Sequence, residues 1–114
     1  MEMIVHLHPL VFDIVLNKDK DVEIRVNDEK RRKLNIGDTL VFLKRDNEEE
    51  KITAKVTNLV YFNNFLEVTD YYDMKRIYLE DTTKEDYINL MKQFYNDEEV
   101  NKYGVVAIEF KLEK

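Results

Sequence analysis

Several residue types with specialised chemistry are missing from this chain of 114 residues. It contains no cysteine and no serine, which excludes disulfide bonds, thiolate zinc sites and the two commonest covalent nucleophiles. Only two glycines and one proline are present. Because these two residue types punctuate the backbone, we expect each of the three to mark a turn or a helix end.

Long apolar runs and an excess of positive charge are missing as well. No apolar stretch reaches the length of a membrane span, and the N-terminal segment MEMIVHLHPL lacks the features of a secretory signal. We therefore expect a cytoplasmic protein that does not enter membranes. The formal net charge of −6 opposes loose binding to phosphate backbones, so a nucleic-acid role would need a local site.

The residues that are present predict one globular domain across residues 1–114. Hydrophobic residues make up 44% of the chain, which is enough to bury a core. Hydrophobic periodicity predicts the element order β-α-β-β-β-loop-α-β. Residues 63–81 have mixed periodicity that does not resolve beyond a short helix and a connecting loop. This order favours an α+β fold, a small and mostly antiparallel β-barrel with two or three helices at its rim.

Local signals refine this outline. Asn17 offers a left-handed stop to the helix that begins at Pro9. The alternation of the long strand KITAKVTNLVYF loses phase around Asn58, which predicts a bulge that curls the sheet. Thr82 and Glu85 have the spacing of a capping box before the strongest helix. The apolar stripe of that helix is expected to pack in the core: Tyr87, Leu90, Met91 and Phe94.

The segment DVEIRV alternates as a half-buried strand should. Val22, Ile24 and Val26 are expected to face the core, which puts Glu23 and Arg25 together on the opposite face. A solvated ion pair on such a face is ordinary and contributes about 0–1 kcal/mol. A functional role for the pair is the alternative, and both interpretations stay open here.

Lys20, Glu23 and Arg25 form the pattern K-x-x-E-x-R on a strand that leads to the turn IGD. This arrangement resembles the ASCH domain of the PUA-like superfamily, whose signature is G-x-K-x-x-E-x-R followed by G-D at the next strand. The resemblance extends over nearly the whole chain, to the terminal strand YGVVAIEF. Lys18 stands at the position of the signature glycine, and Asn17 is the candidate to supply the left-handed turn instead.

The resemblance implies a cleft between barrel and helices that receives RNA or a modified nucleoside or nucleotide, with no cofactor. It places Lys20 and Arg25 on phosphate groups or base edges. The basic segment EKRRK, which follows the strand, is positioned to guide the nucleic-acid backbone. The ligand-binding residues predicted in this way are Lys20, Glu23, Arg25, Asn27, Lys30, Arg31 and Arg32.

An enzyme is the alternative function. One branch of the resembled family hydrolyses acetylcytidine with a lysine and a threonine on the signature strand and a glutamate before the long helix. Lys20 and Glu80 match two of these positions, whereas Glu23 stands at the threonine position. The candidate catalytic residues would be Lys20, Glu23 and Glu80, and we expect them to line one pocket with Arg25. A third possibility is a protein-interaction domain that presents its acidic surface to a basic partner.

Histidines and aromatic residues complete the candidates. His6 and His8 share a strand face but have no evident third ligand, so no metal site is predicted. Tyr61, Phe62 and Phe65 could stack on a base, although such aromatic side chains more often fill the core.

Overall fold

Five strands form one curled sheet in the computed structural model, which describes residues 1–113. The strands are β1 (Glu2–Leu7), β2 (Val22–Val26), β3 (Thr39–Lys44), β4 (Asn47–Phe62) and β5 (Val105–Leu112). Their order across the sheet is β1-β3-β4-β5-β2. β1 runs parallel to β3, and every other neighbouring pair is antiparallel. β1 and β2 are therefore the two edges of the sheet.

Helices pack on both faces of the sheet. They are α1 (Pro9–Leu16), α2 (Phe65–Tyr71), α3 (Met74–Ile77), α4 (Lys84–Phe94) and α5 (Asp97–Tyr103), with a 3-10 turn at Arg31–Lys33. The predicted α+β class is confirmed, as a half-barrel. Two of these helices, α2 and α3, lie in the segment 63–81 that the periodicity did not resolve. In the described part of the chain, no helix is long and apolar enough to span a membrane.

The long strand β4 gives the sheet its curl. Its first half pairs with β3 and its second half with β5. The register with β5 shifts between Val56 and Asn58, where the sequence predicts a bulge. A bulge bends its strand and increases the local twist, so one strand can serve both halves of the sheet. The predicted break in alternation is confirmed.

Alternate residues of β5 enter two separate hydrophobic clusters. Val106, Ile108 and Phe110 belong to the cluster under α1, whereas Val105 and Ala107 belong to the cluster under α2 to α5. The sheet is thus covered on both faces. The valines and the isoleucine of β2 pack in the helical cluster, as predicted. The opposite face of β2 is covered too, so the predicted half-buried strand is wrong.

Side-chain caps begin four of the helices, α1, α2, α4 and α5. His8 Nδ1 accepts a hydrogen bond from Leu10 N at 3.1 Å, at the start of α1. Thr83 caps α4 by accepting from Asp86 N, so the capping box predicted one residue earlier is wrong. A reciprocal capping box does begin α5, between Asn96 and Glu99.

The turn between α1 and β2 passes through Lys18, whose φ is 65°. Asn17, the predicted left-handed residue, has an ordinary φ of −78°. Backbone N–H groups of residues 18 to 20 donate to carbonyls of α1, which closes the turn tightly. The residue at the signature glycine position thus adopts the conformation that favours glycine, although it carries a side chain.

Replacing Lys18 with glycine should raise the free energy of unfolding by roughly 0.5–1 kcal/mol, since an L-residue in the left-handed region is strained. Asn17→Gly is the matched control. It adds the same backbone freedom at an ordinary φ and should lower stability by up to about 1 kcal/mol. Urea unfolding followed by circular dichroism compares the two variants. A Lys18→Gly protein less stable than the parent would contradict strain at this turn.

Candidate functional site

A cleft of about 540 Å³ opens between α1, α4 and β2. Leu10 and Val11 of α1 and Leu90, Met91 and Phe94 of α4 give it apolar sides. The remaining lining residues are Leu7, His8, Lys20, Glu23, Ile24, Arg25, Arg45, Ile77, Tyr78, Tyr87 and Tyr95. A volume of this size falls in the range of small-molecule sites, which is roughly 300–1,000 Å³.

Lys20 is buried at the bottom of this cleft, with 4% of its surface exposed. Its Nζ donates to the carbonyl oxygens of Val22 at 2.6 Å and Ile77 at 2.8 Å. The same Nζ lies 3.1 Å from Glu23 Oε1. A lysine ammonium has three N–H donors, so these partners occupy all of them. Lys20 therefore ties β2 to the end of α3.

Glu23 connects Lys20 to Arg25. Its Oε2 lies 2.8 Å from both Nε and Nη2 of Arg25, and the glutamate is 5% exposed. Arg25 Nη2 also donates to the carbonyl oxygen of His6 in β1 at 3.2 Å. We name Lys20, Glu23 and the half-buried Arg25 the charge triad. Through Arg25 the triad links the two edges of the sheet.

The electrostatics of the triad hold its carboxylate in the charged form. Burial alone would raise the pKa of Glu23, but the charges of Lys20 and Arg25 outweigh burial and lower this pKa. Burial lowers the pKa of Lys20, with Glu23 acting in the opposite direction. For Arg25, burial is outweighed by Glu23 and Tyr95, and its pKa is raised. The three acceptors around Lys20 Nζ favour the ammonium.

Arg25 keeps donors for a ligand. Within the described chain Nε and Nη2 bind Glu23 and His6, so the Nη1 donors remain for the Tyr95 side chain and for a ligand. Tyr95, which lines the same cleft, hydrogen-bonds the Arg25 side chain, and burial raises the pKa of this tyrosine. Of the triad, Arg25 is therefore the member best able to contact a bound molecule.

Not every predicted site residue reaches the cleft. Glu80 is exposed in the turn between α3 and α4 and is not among the lining residues, so the predicted pocket shared with Glu80 is wrong. Asn27, Lys30, Arg31 and Arg32 do not line it either.

The basic loop instead packs on its own surroundings. Arg32 Nε donates to Asn27 O at 2.8 Å, and its guanidinium lies 5.5 Å from the ring centroid of Tyr103. Arg31 Nε and Asn27 Oδ1 are buried without a hydrogen-bond partner in residues 1–113. The loop therefore lies against α5, which ends at Tyr103.

Other residues that line the cleft were not predicted from the sequence. Arg45 follows β3 in the segment RDNEEE, which resembles an ordinary charged turn. The stripe of α4 is buried at Tyr87, but Phe94 is 63% exposed and Leu90 and Met91 line the cleft. An amphipathic stripe does not itself distinguish a core face from a cleft wall. The prediction of core packing is right for Tyr87 and partly right for Met91, which is half-buried and packs against the helical cluster.

The remaining candidates lie elsewhere. His6 Nε2 contacts Glu48 Oε1 at 3.0 Å, and His8 caps α1. No group of three or more His, Asp or Glu side chains suited to a metal ion occurs in the part of the chain that the structure describes. Tyr61 and Phe65 do not line the cleft, and Phe65 stacks on Tyr95 with ring centroids 5.7 Å apart.

A family model for the ASCH domain matches residues 5–114. The chain belongs to the ASCH domain family. It is similar to the crystal structure of a hypothetical protein, with a TM-score of 0.87, 27% identity and coverage of 99% of this chain and 100% of that one. It is also similar to the solution NMR structure of a Pyrococcus furiosus protein, with a TM-score of 0.78, 27% identity and coverage of 100% and 99%. No curated protein matches it.

Replacing Lys20 with methionine should lower the free energy of unfolding of this ASCH domain by roughly 3–5 kcal/mol, because a buried carboxylate loses a cationic partner. The control is Lys84→Met, which removes an exposed ion pair with Asp70 at 2.8 Å and should cost about 0–1 kcal/mol. Urea unfolding measures both. Equal stability of the two variants would contradict the buried network.

The carboxyl of Glu23 should stay ionised below pH 4.5, its ordinary pKa, because two cations outweigh its burial. A pKa lower in the folded than in the unfolded chain contributes stability above about pH 4.5, and this stability is lost as the pH falls through the folded pKa. A carbon-13 NMR titration of the side-chain carboxyls measures the midpoint. A midpoint above 4.5 would mean that burial dominates.

Proposed function

We propose that this ASCH domain binds RNA by taking one unpaired or modified nucleotide into the cleft. The observation that supports this most directly is the character of the lining in a chain with a net charge of −6. The cleft combines apolar and aromatic side chains with the three cations Lys20, Arg25 and Arg45. Within residues 1–113, the one carboxylate that lines it is Glu23, which is already paired. A planar ligand with negative charge or carbonyl oxygens suits this lining.

The sides of the cleft favour a flat base. Proteins that recognise single-stranded RNA stack unpaired bases on aromatic and apolar side chains. Phe94 offers an exposed ring, and Leu10 faces the cleft from α1. A base between α1 and α4 would bury apolar surface that the protein alone leaves in water.

Arg25 is the proposed polar contact. Its Nη1 carries two N–H donors, and at least one of them remains beside Tyr95 for a carbonyl oxygen on a base edge. Glu23 fixes the guanidinium from the other side, and Lys20 fixes Glu23. In this proposal Lys20 and Glu23 position Arg25, and their contribution to binding is indirect. The basic loop from Lys30 to Arg32 stays a prediction for contacts outside the cleft.

The same geometry suits amide hydrolysis less well than it suits binding. Lys20 would have to break hydrogen bonds to two carbonyl oxygens before it could polarise a substrate. Glu23 puts a negative charge where a neutral hydroxyl would be needed, and such a charge repels hydroxide. Glu80 does not line the cleft. These contacts favour binding over catalysis.

RNA affinity should be modest, because non-specific affinity depends on many phosphate contacts and this chain is acidic overall. We therefore expect discrimination among bases or single-stranded structures. Fluorescence anisotropy with a panel of short labelled single strands, at physiological salt, measures affinity and preference together.

Phe94→Ala should weaken binding of the preferred strand roughly 5- to 150-fold, the range of one lost base–aromatic stack. The exposed ring contributes little to folding, so stability should not change. Tyr61→Ala is the matched control, because Tyr61 is 60% exposed and lies outside the cleft. Equal losses in the two variants, or release of acetate from acetylcytidine by the parent protein, would contradict the proposal.

A further inference from the structure

Arg45 is a cation at the cleft that no carboxylate neutralises. It is exposed, it lines the cleft, and its backbone N–H donates to Leu7 O at 2.9 Å. The neighbouring Lys44 lies 3.4 Å from Glu50 and 3.7 Å from Asp13. Among residues 1–113, by contrast, Arg45 has no ion pair within 4 Å. Its guanidinium is therefore available to an anion from outside.

His8 brings a further donor to the same cleft. Its Nδ1 accepts the hydrogen bond from Leu10 N, so in the neutral ring the proton must reside on Nε2. The cap at the start of α1 thus fixes the tautomer, and Nε2–H is a hydrogen-bond donor. His8 and Arg45 both line the cleft, at the ends of β1 and β3, which are neighbours in the sheet.

Within residues 1–113, no residue of the triad forms an ion pair with Arg45. Glu23 is shared between Lys20 and Arg25 and is almost fully buried. A bound anion would therefore meet Arg45 and His8 without displacing an existing ion pair. Phosphate and carboxylate both accept the paired N–H groups of a planar guanidinium, and phosphate is the one of the two that a nucleotide in this cleft would bring.

We infer that Arg45 and His8 form a phosphate subsite at the rim of the cleft. The ligand is then a phosphorylated nucleotide, free or within RNA, in preference to an unphosphorylated nucleoside. At the cleft, the nucleic-acid backbone then passes over the turn between β3 and β4. This inference rests on the proposed function, because it names the substrate class of the same cleft.

The test compares nucleosides with their 3′- and 5′-monophosphates on the full chain, by proton–nitrogen NMR that includes the arginine Nε–H signals. The preferred monophosphate should bind at least roughly 10-fold tighter than its nucleoside, and Arg45→Gln should abolish this difference. His8→Asn keeps an acceptor for the helix cap and should reduce the difference partly. Lys51→Gln is the control, because Lys51 is exposed on the same hairpin and does not line the cleft.

The second part of the test uses short RNA. Arg45→Gln should reduce the slope of log affinity against log salt by about 0.7, the value for one phosphate contact in a single strand, and Lys51→Gln should leave it unchanged. Inorganic phosphate should bind more weakly than the monophosphate because it lacks the base.

Several results would overturn the subsite. Equal affinity of nucleoside and monophosphate in the parent protein would do so, as would a difference that survives in Arg45→Gln. If inorganic phosphate binds as tightly as the monophosphate, the rim is a site for the phosphate ion alone, and this would overturn the inference as well. If Phe94→Ala abolishes binding while Arg45→Gln changes nothing, the proposed function stands and the subsite fails. If no nucleoside, nucleotide or RNA binds, both fail.

Discussion

Two buried charges, Lys20 and Glu23, and the half-buried Arg25 lie where β1, β2 and α3 meet, and they are the constraint on which the rest of the site depends. Charged groups removed from water destabilise a fold unless each is paired and hydrogen-bonded. Here the carboxylate of Glu23 lies between two cations, and Lys20 also donates to two carbonyl oxygens. One of these carbonyls belongs to Ile77, 57 residues further along the chain. The network therefore forms only when the helical half of the chain has docked on the sheet.

The same network decides what the cleft can do. All three donors of Lys20 are occupied inside the protein, whereas Arg25 keeps at least one donor on Nη1 beside its contact with Tyr95. In the proposed function, the lysine that resembles a catalytic residue therefore has a structural role, and the arginine that it supports indirectly contacts the ligand. Apolar side chains of α1 and α4 surround that arginine, while Arg45 lies at the rim. Recognition of an unpaired nucleotide is the chemistry that this combination suits best.

Local patterns predicted the sheet better than the site. Alternation in β2 and the phase change near Asn58 depend on neighbours in sequence, so both were visible without coordinates. The burial of Glu23 was not visible in the sequence, because it depends on the distant Ile77 and on the approach of β1 to β2. Arg45 was missed because nothing in a charged turn indicates that its side chain reaches a cleft. No local signal could have shown that Glu80 lies outside it.

A crystal structure of this domain with its preferred nucleoside monophosphate tests the central claim most directly. We expect the base between α1 and α4, with Arg25 Nη1 on one of its acceptors. Lys20 should keep its contacts to Glu23 and to the carbonyls of Val22 and Ile77. A nucleotide bound on the basic loop, or a Lys20 Nζ that turns from these partners to the ligand, would contradict the account.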